Sequence, residues 1–121
     1  MNTNMQTFSN NLEMFSLVWL ATNDDLKDSR DTQEKLRCII NQLRIFEHPQ
    51  EFQYYIEQKT KENLLVLIIN GQLGRSIIDI IHRQSHVLSI YVYSIDTNEN
   101  QQWTSQFRKV NTFSLLCFFS Y

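Results

Sequence analysis

Residues 64–74 read LLVLIINGQLG, from Leu64 to Gly74, and the fold of the chain turns on that stretch. No residue from Leu64 to Asn70 is charged, and nearly all are branched aliphatics. A half-solvated antiparallel strand alternates apolar with polar residues, whereas a strand inside a parallel sheet, with helices on both faces, reads as one apolar run. The stretch is therefore predicted to be the central strand of a parallel sheet, buried on both faces. Glycine reaches backbone angles closed to other residues, so Gly71 and Gly74 are expected to turn this strand sharply into a helix whose apolar residues begin at Ile77.

Working outward toward the C-terminus, Ile77, Ile78, Ile80 and Ile81 mark a helix ending near His82 to Ser85, and Val87 to Ser94 (VLSIYVYS) has the β-branched and aromatic content of a further strand. Asp96 to Glu99 can start another helix, with Trp103 and Phe107 one turn apart on its inner face, and Lys109 to about Leu115 reads as the last strand. Toward the N-terminus, Phe52, Tyr55 and Ile56 give the inner face of a helix that Pro49 opens and Lys59 and Lys61 close. Arg44 to Glu47 allows only a short strand. Asp31 with Glu34 makes a capping signal ahead of Leu36, Ile39, Ile40 and Leu43, an amphipathic helix with Cys38 on its flank. Ala21 to Arg30 is a polar connection, Leu12 to Leu20 (LEMFSLVWL) the first strand, and residues 1–11 an unpatterned, Asn-rich arm.

Strands alternating with helices over residues 12–115 predict an α/β domain: a flavodoxin-like, doubly wound, five-stranded parallel sheet in the order 2-1-3-4-5. That order leaves a place beside strands one and five for a final helix. Leu115 to Tyr121 (LLCFFSY) is apolar and carries no helix-start signal, so the final helix reads as missing and residues 116–121 as the truncated or altered end of a longer protein. Exposure of Leu116, Phe118 or Phe119, and self-association through them, is expected.

Composition narrows the functional classes. The chain has 121 residues, 42% of them hydrophobic and 20% charged, which suits one ordinary globular domain. Its formal charge of -2 comes from acids and bases mixed along the chain, without the Lys/Arg stripe that binds nucleic acid or an anionic membrane. No apolar run approaches the roughly 20 residues of a spanning helix. With only Cys38 and Cys117, and no basic segment leading an apolar one at the start, the reading is a reduced, cytoplasmic protein.

In a sheet of this order, ligands bind outside the carboxyl ends of the strands, where strand order reverses. The loop after strand one brings Thr22, Asn23, Asp24 and Asp25 there, the loop after strand three Asn70, Gly71 and Gln72, and strand four Ser94 and Asp96. The adjacent acids could hold a metal, though such pairs more often cap a helix or face water. Gly71, Gly74 and Arg75 could cradle a phosphate, although GQLG is neither the P-loop nor the dinucleotide fingerprint. His82 and His86 lack further ligands at zinc spacing and read as solvated helix-end histidines, and Cys38 has no base in view. Trp19, Tyr91, Tyr93, Trp103 and Phe107 read as core aromatics.

The segments NLEMFSLVWL (Asn11 to Leu20), TQEKLRCIINQLRIFE (Thr32 to Glu47), LVLIINGQLGRSIIDIIHRQSHVLSIYVYSID (Leu65 to Asp96) and ENQQWTSQFRKV (Glu99 to Val110) resemble a module of a lineage-expanded invertebrate family. There the module often stands ahead of an arginine mono-ADP-ribosyltransferase domain or of tetratricopeptide repeats similar to kinesin light chain. The transferase's E-x-E signature is absent from this sequence, so the resemblance implies company rather than catalysis. The predicted fold is also similar to response-regulator receivers and to TIR domains. A receiver carries a phosphate-accepting carboxylate at the end of strand three, where this chain has Asn70, and a lysine ending strand five, which it lacks. Asp24 and Asp25 match the receiver's acidic pair and Ser94 its hydroxyl. None of Glu47, Glu51 or Glu57 is placed as the catalytic glutamate of a TIR hydrolase. The expectation is a noncatalytic interaction or regulatory module, without cofactor, working with a protein partner or fused domain. A small-ligand or nucleotide-phosphate module at the Asn70 to Arg75 turn, and a fragment of an ADP-ribosyltransferase-type protein lacking its catalytic domain, are the alternatives.

Overall fold

The computed structural model describes residues 15–40, 42–60, 62–94 and 102–114. Strand β1 (Phe15–Leu20) is followed by helices α1 (Asn23–Asp28) and α2 (Arg30–Ile39), strand β2 (Leu43–Phe46), helix α3 (Pro49–Gln58) and strand β3 (Leu64–Asn70). Two short helices, α4 (Gly71–Gly74) and α5 (Ile78–Ile81), precede β4 (Val87–Ser94), and β5 (Val110–Ser114) follows a helical turn over 102–104. The five strands form one sheet in the order β2-β1-β3-β4-β5, and every pairing is parallel. This is the flavodoxin-like α/β order read from the sequence.

Helices cover the two faces unequally. On one side Phe52 and Ile56 of α3, with Ile77, Ile78 and Ile81 around α5, pack on Val18, Leu20, Leu65, Leu67, Ile69, Ile90 and Val92. On the other, Leu26 of α1 and Leu36 of α2 join Trp19, Ala21, Tyr93, Ile45, Ile68 and Phe113. The expectation that β3 is buried on both faces needs correcting: Leu65, Leu67 and Ile69 are fully buried, while Leu64, Val66 and Ile68 are half-buried. The pairing of β3 with β4 also slips once. Leu65 faces Val87, but Val66 faces Ser89, so Leu88 is an extra residue that bulges outward, 49% exposed.

Several local expectations are revised. The polar connection from Ala21 to Arg30 contains a helix that was not expected, because Thr22 and Asp25 form a reciprocal capping box that starts α1: the Thr22 hydroxyl accepts from the Asp25 N–H and the Asp25 carboxylate accepts from the Thr22 N–H. Helix α2 starts at Arg30, so Asp31 lies inside its first turn and caps nothing; Ser29 occupies the N-cap without a side-chain cap bond. The helix ends at Ile39, which is 76% exposed, and Leu43 belongs to β2. The half-buried stripe is Thr32, Gln33 and Leu36 with the C-cap Ile40, so of the expected apolar face Leu36 and Ile40 turn inward and Ile39 does not. The helix expected from Ile77 is present but short, Ile78–Ile81, with Ile80 at 42% exposure, and the glycine turn expected before it is itself a short helix, α4.

The glycines act differently from expectation. Neither has a positive φ. Gly74 is required by close approach, since a Cβ there would overlap the Cγ2 of the buried Ile69. Pro49 does sit in the first turn of α3, and Trp103 and Phe107, half-buried, pack against the larger cluster. The arm at 1–11, residues 12–14, Lys61, the proposed helix start at 96–99, and the apolar tail from Leu115 to Tyr121 lie outside the described residues. No helix among the described residues is long and apolar enough to cross a membrane.

Candidate functional site at the carboxyl edge of the sheet

The crevice at the carboxyl ends of β1, β3 and β4 is built around Asp25, the third residue of α1. The capping box fixes its backbone, and its side chain, buried in the structure, reaches over the strand ends. One carboxylate oxygen, Oδ2, accepts three hydrogen bonds: from the Tyr93 hydroxyl at 2.5 Å, the Asn70 side-chain amide at 2.9 Å and the Thr22 N–H at 3.3 Å. The Tyr93 hydroxyl in turn accepts from the Trp19 indole N–H at 3.1 Å. Ser29 closes the far side by donating to the Asp25 carbonyl at 2.6 Å. Trp19 and Tyr93 are fully buried, so this polar cluster is part of the smaller core.

Burial, followed by the Asp25 carboxylate, pushes the Tyr93 phenol far above the ordinary tyrosine range. It stays protonated at neutral pH and serves Asp25 as a donor. A carboxylate that receives this donor and an amide needs no external cation to be satisfied.

Asn70 engages both ends of its amide. Its Nδ2 donates to Asp25, and its Oδ1 accepts from the backbone N–H groups of Gln72 and Leu73, at 2.9 and 3.2 Å. It is thereby the N-cap of α4, and the turn expected to offer backbone donors to a phosphate directs two of them at its own strand end. Gly71 and Gly74 are buried behind this cap, and Gln72 is exposed. The Arg75 guanidinium lies over the Trp103 ring, 5.9 Å from its centroid, on the larger-core side. Asn23 and Asp24, also exposed, occupy the first turn of α1 and stand outside the hydrogen bonds that converge on the Asp25 carboxylate. Ser94 ends β4 in register with Ser114 of β5. Asp96 lies outside the described residues.

Of the candidate residues, then, Asp25 and Asn70 are bonded together, and Trp19 and Tyr93, read only as packing aromatics, complete the constellation. The signal for them was chemical: a buried tryptophan or tyrosine carries a polar tip that must find a partner. Tyr91 differs from its reading as core, being 39% exposed. Of the two histidines read as solvated helix-end residues, His82 does cap the end of α5, but the side chains of both are packed rather than free in solvent. His86 is buried with its Nε2 2.8 Å from the Ile56 carbonyl, and His82 is half-buried against the Phe107 ring, 4.6 Å between centroids. Among the described residues no group of three metal-ligating side chains converges. Comparison with known proteins finds no matching family model, no similar curated protein and no similar solved structure.

Proposed function

We propose that the chain is a noncatalytic interaction or regulatory module of flavodoxin-like fold, acting with a protein partner or a fused domain in the cytoplasm. The observation that carries this reading is the closed hydrogen-bond circuit in the crevice. The carboxylate, amide and backbone donors that would have to meet a phosphate, a metal or a nucleotide are bonded to one another through Asp25, Asn70, Tyr93 and the α4 turn. A catalytic or ligand-binding crevice instead leaves some polar groups poised and unsatisfied until its ligand arrives. Asn70 also supports it, because a neutral amide at the end of β3 cannot form the acyl phosphate of a receiver. The resemblance to modules standing ahead of transferase or tetratricopeptide domains points the same way.

The test is calorimetric titration with magnesium, ATP, NAD and inorganic phosphate, together with incubation in labelled acetyl phosphate. The expected result is no binding heat at millimolar ligand and no hydroxylamine-labile label. Saturable heat that disappears on Gln72→Pro, or label that disappears on Asp24→Asn, would replace the interaction module with a ligand-binding or phosphotransfer domain.

A further inference from the structure

We propose that the open edge of β2, with the groove beside it, takes up an extended acidic segment of a partner protein as a sixth strand; this rests on the interaction-module reading and names the surface it uses. Among the described residues β2 ends the sheet and pairs only with β1. The Leu17 N–H donates to the Gln42 carbonyl and the Ala21 N–H to the Phe46 carbonyl. The two-residue period of a strand therefore turns the even-numbered peptide groups of β2 inward and leaves the N–H and C=O of Leu43 and Ile45 on the outer edge. No described residue bonds to them.

The side chains of Arg44 and Phe46 project to the α3 side of this edge. With Glu51, Tyr54, Tyr55 and Lys59 of α3 and its C-cap they line an open groove of ≈ 490 Å³. Tyr54 is 65% exposed there. The Tyr55 ring has the Arg44 guanidinium 5.4 Å from its centroid and the Lys59 ammonium 4.7 Å from it. Neither cation pairs with a carboxylate among the described residues; the ion pairs there belong to Asp79 with His82 and Arg83. Two cations held over one ring beside an unpaired strand edge form a surface complementary to a negatively charged strand.

Charge decides between occupants. A second copy docking edge to edge would bring two Arg44 and two Lys59 side chains into one interface, and like charges facing each other are unfavourable. Nucleic acid needs a longer basic track than these two residues, on a chain whose formal charge is -2. An added strand lies about 4.8 Å from β2, and its alternate side chains, about 6.7 Å apart, fall on the α3 side. One of these meets Arg44 and the next meets Phe46 and Tyr54, so the preferred segment carries an acidic residue and an apolar residue two positions apart. Main-chain bonds to Leu43 and Ile45 supply affinity, and the groove supplies selectivity. The shortness of β2 and the charge of Arg44 discourage indiscriminate pairing.

The probes are fluorescein-labelled octapeptides that place glutamate and valine two positions apart on one strand face, Glu-Thr-Val-Thr repeated twice, the same peptide with lysine for glutamate, and a labelled oligouridylate, titrated by anisotropy into the full chain. The glutamate peptide should bind, and it should slow amide hydrogen exchange at Leu43 and Ile45. The double substitution Arg44→Glu, Lys59→Glu, which changes only surface groups, should weaken that peptide at least about tenfold, equal to 1.4 kcal/mol, and favour the lysine peptide. The proposal is overturned by equal binding of the glutamate peptide by the charge-reversed protein, by unchanged exchange at Leu43 and Ile45, by preference for the oligouridylate, or by a dimer that the charge reversal abolishes. If no peptide binds and the crevice stays silent to nucleotide and magnesium, this edge proposal fails and the module reading stands. If the crevice binds nucleotide, the module reading is what fails.

Discussion

Replacing Asp25 distinguishes an anchoring carboxylate from a functional one by the sign of a stability change. A carboxylate held for ligand chemistry is usually a liability to the fold, and its removal tends to stabilise. Here Oδ2 is the common acceptor for Tyr93, Asn70 and Thr22, and the cluster lies among Trp19 and Ala21 in the smaller core. A hydrogen bond to a charged acceptor contributes about 1.5–3 kcal/mol net. The three share one atom and their donors can partly re-pair, so the whole is less than three times that figure. Asp25→Ala should cost about 3–5 kcal/mol and Asp25→Asn about 1–3 kcal/mol, since the introduced amide keeps one acceptor but turns donors toward donors. Either is a large share of the roughly 5–15 kcal/mol that holds a domain together. Urea unfolding at neutral pH, followed by the fluorescence of the buried Trp19, measures the loss, and Asp24→Asn, on the exposed first turn of α1, is the control that should change nothing. If Asp25→Asn raises the unfolding midpoint with an unchanged urea slope, the carboxylate is not an anchor and the noncatalytic reading loses its main support.

Three further outcomes are expected. Because the folded state raises the Tyr93 pKa, the phenol's contribution is complete below the unfolded tyrosine value, about pH 10, and is lost as pH climbs above it, by about 1.4 kcal/mol per pH unit; the difference between wild type and Tyr93→Phe in alkaline urea titrations should show that slope, and parallel curves would contradict it. Gly74→Ala should destabilise by about 1–3 kcal/mol through its collision with Ile69, and a neutral or stabilising effect in thermal unfolding would show that the α4 turn is looser than described. Leu67→Ala should cost about 2–5 kcal/mol and Ile68→Ala distinctly less, because adjacent residues of β3 meet a fully covered and a half-covered face; equal losses in urea would mean that the two faces are equally sealed.

What the sequence disclosed follows from how local each cause is. The apolar run of β3, the β-branched run of β4 and Pro49 at the head of α3 are written within a few neighbouring residues, and the strand order follows from the alternation of elements. Helix α1 was equally local, in Thr22 and Asp25, but with Leu26 as its one apolar contact residue it had no stripe to draw attention. The apolar spacing around Leu36 misled because Ile39 fits the helical period yet faces water and Leu43 already belongs to β2. The crevice was legible as a place and not as a circuit. Asn70 and Tyr93 reach Asp25 from two strands and Trp19 reaches Tyr93 from a third, bonded partners standing up to 74 positions apart, and only the folded register brings them together. The β2 groove depends in the same way on Lys59 returning to the side of Arg44.

Leu88 sets the phase in which the rest of β4 is read. Val87 and Ile90 both serve the larger core although they stand three apart, and Ser89, Tyr91 and Tyr93 take the opposite face only because one residue was skipped. Deleting Leu88 would leave Val87 followed by Ser89 in a regular strand with every face kept. Pairing Leu88 in step with Val66 would instead act on the side chains as a frameshift acts on codons, turning Ile90 and Val92 out of the aliphatic layer, driving Tyr91 and Tyr93 into it, and carrying the phenol that Asp25 depends on to the wrong side of the sheet.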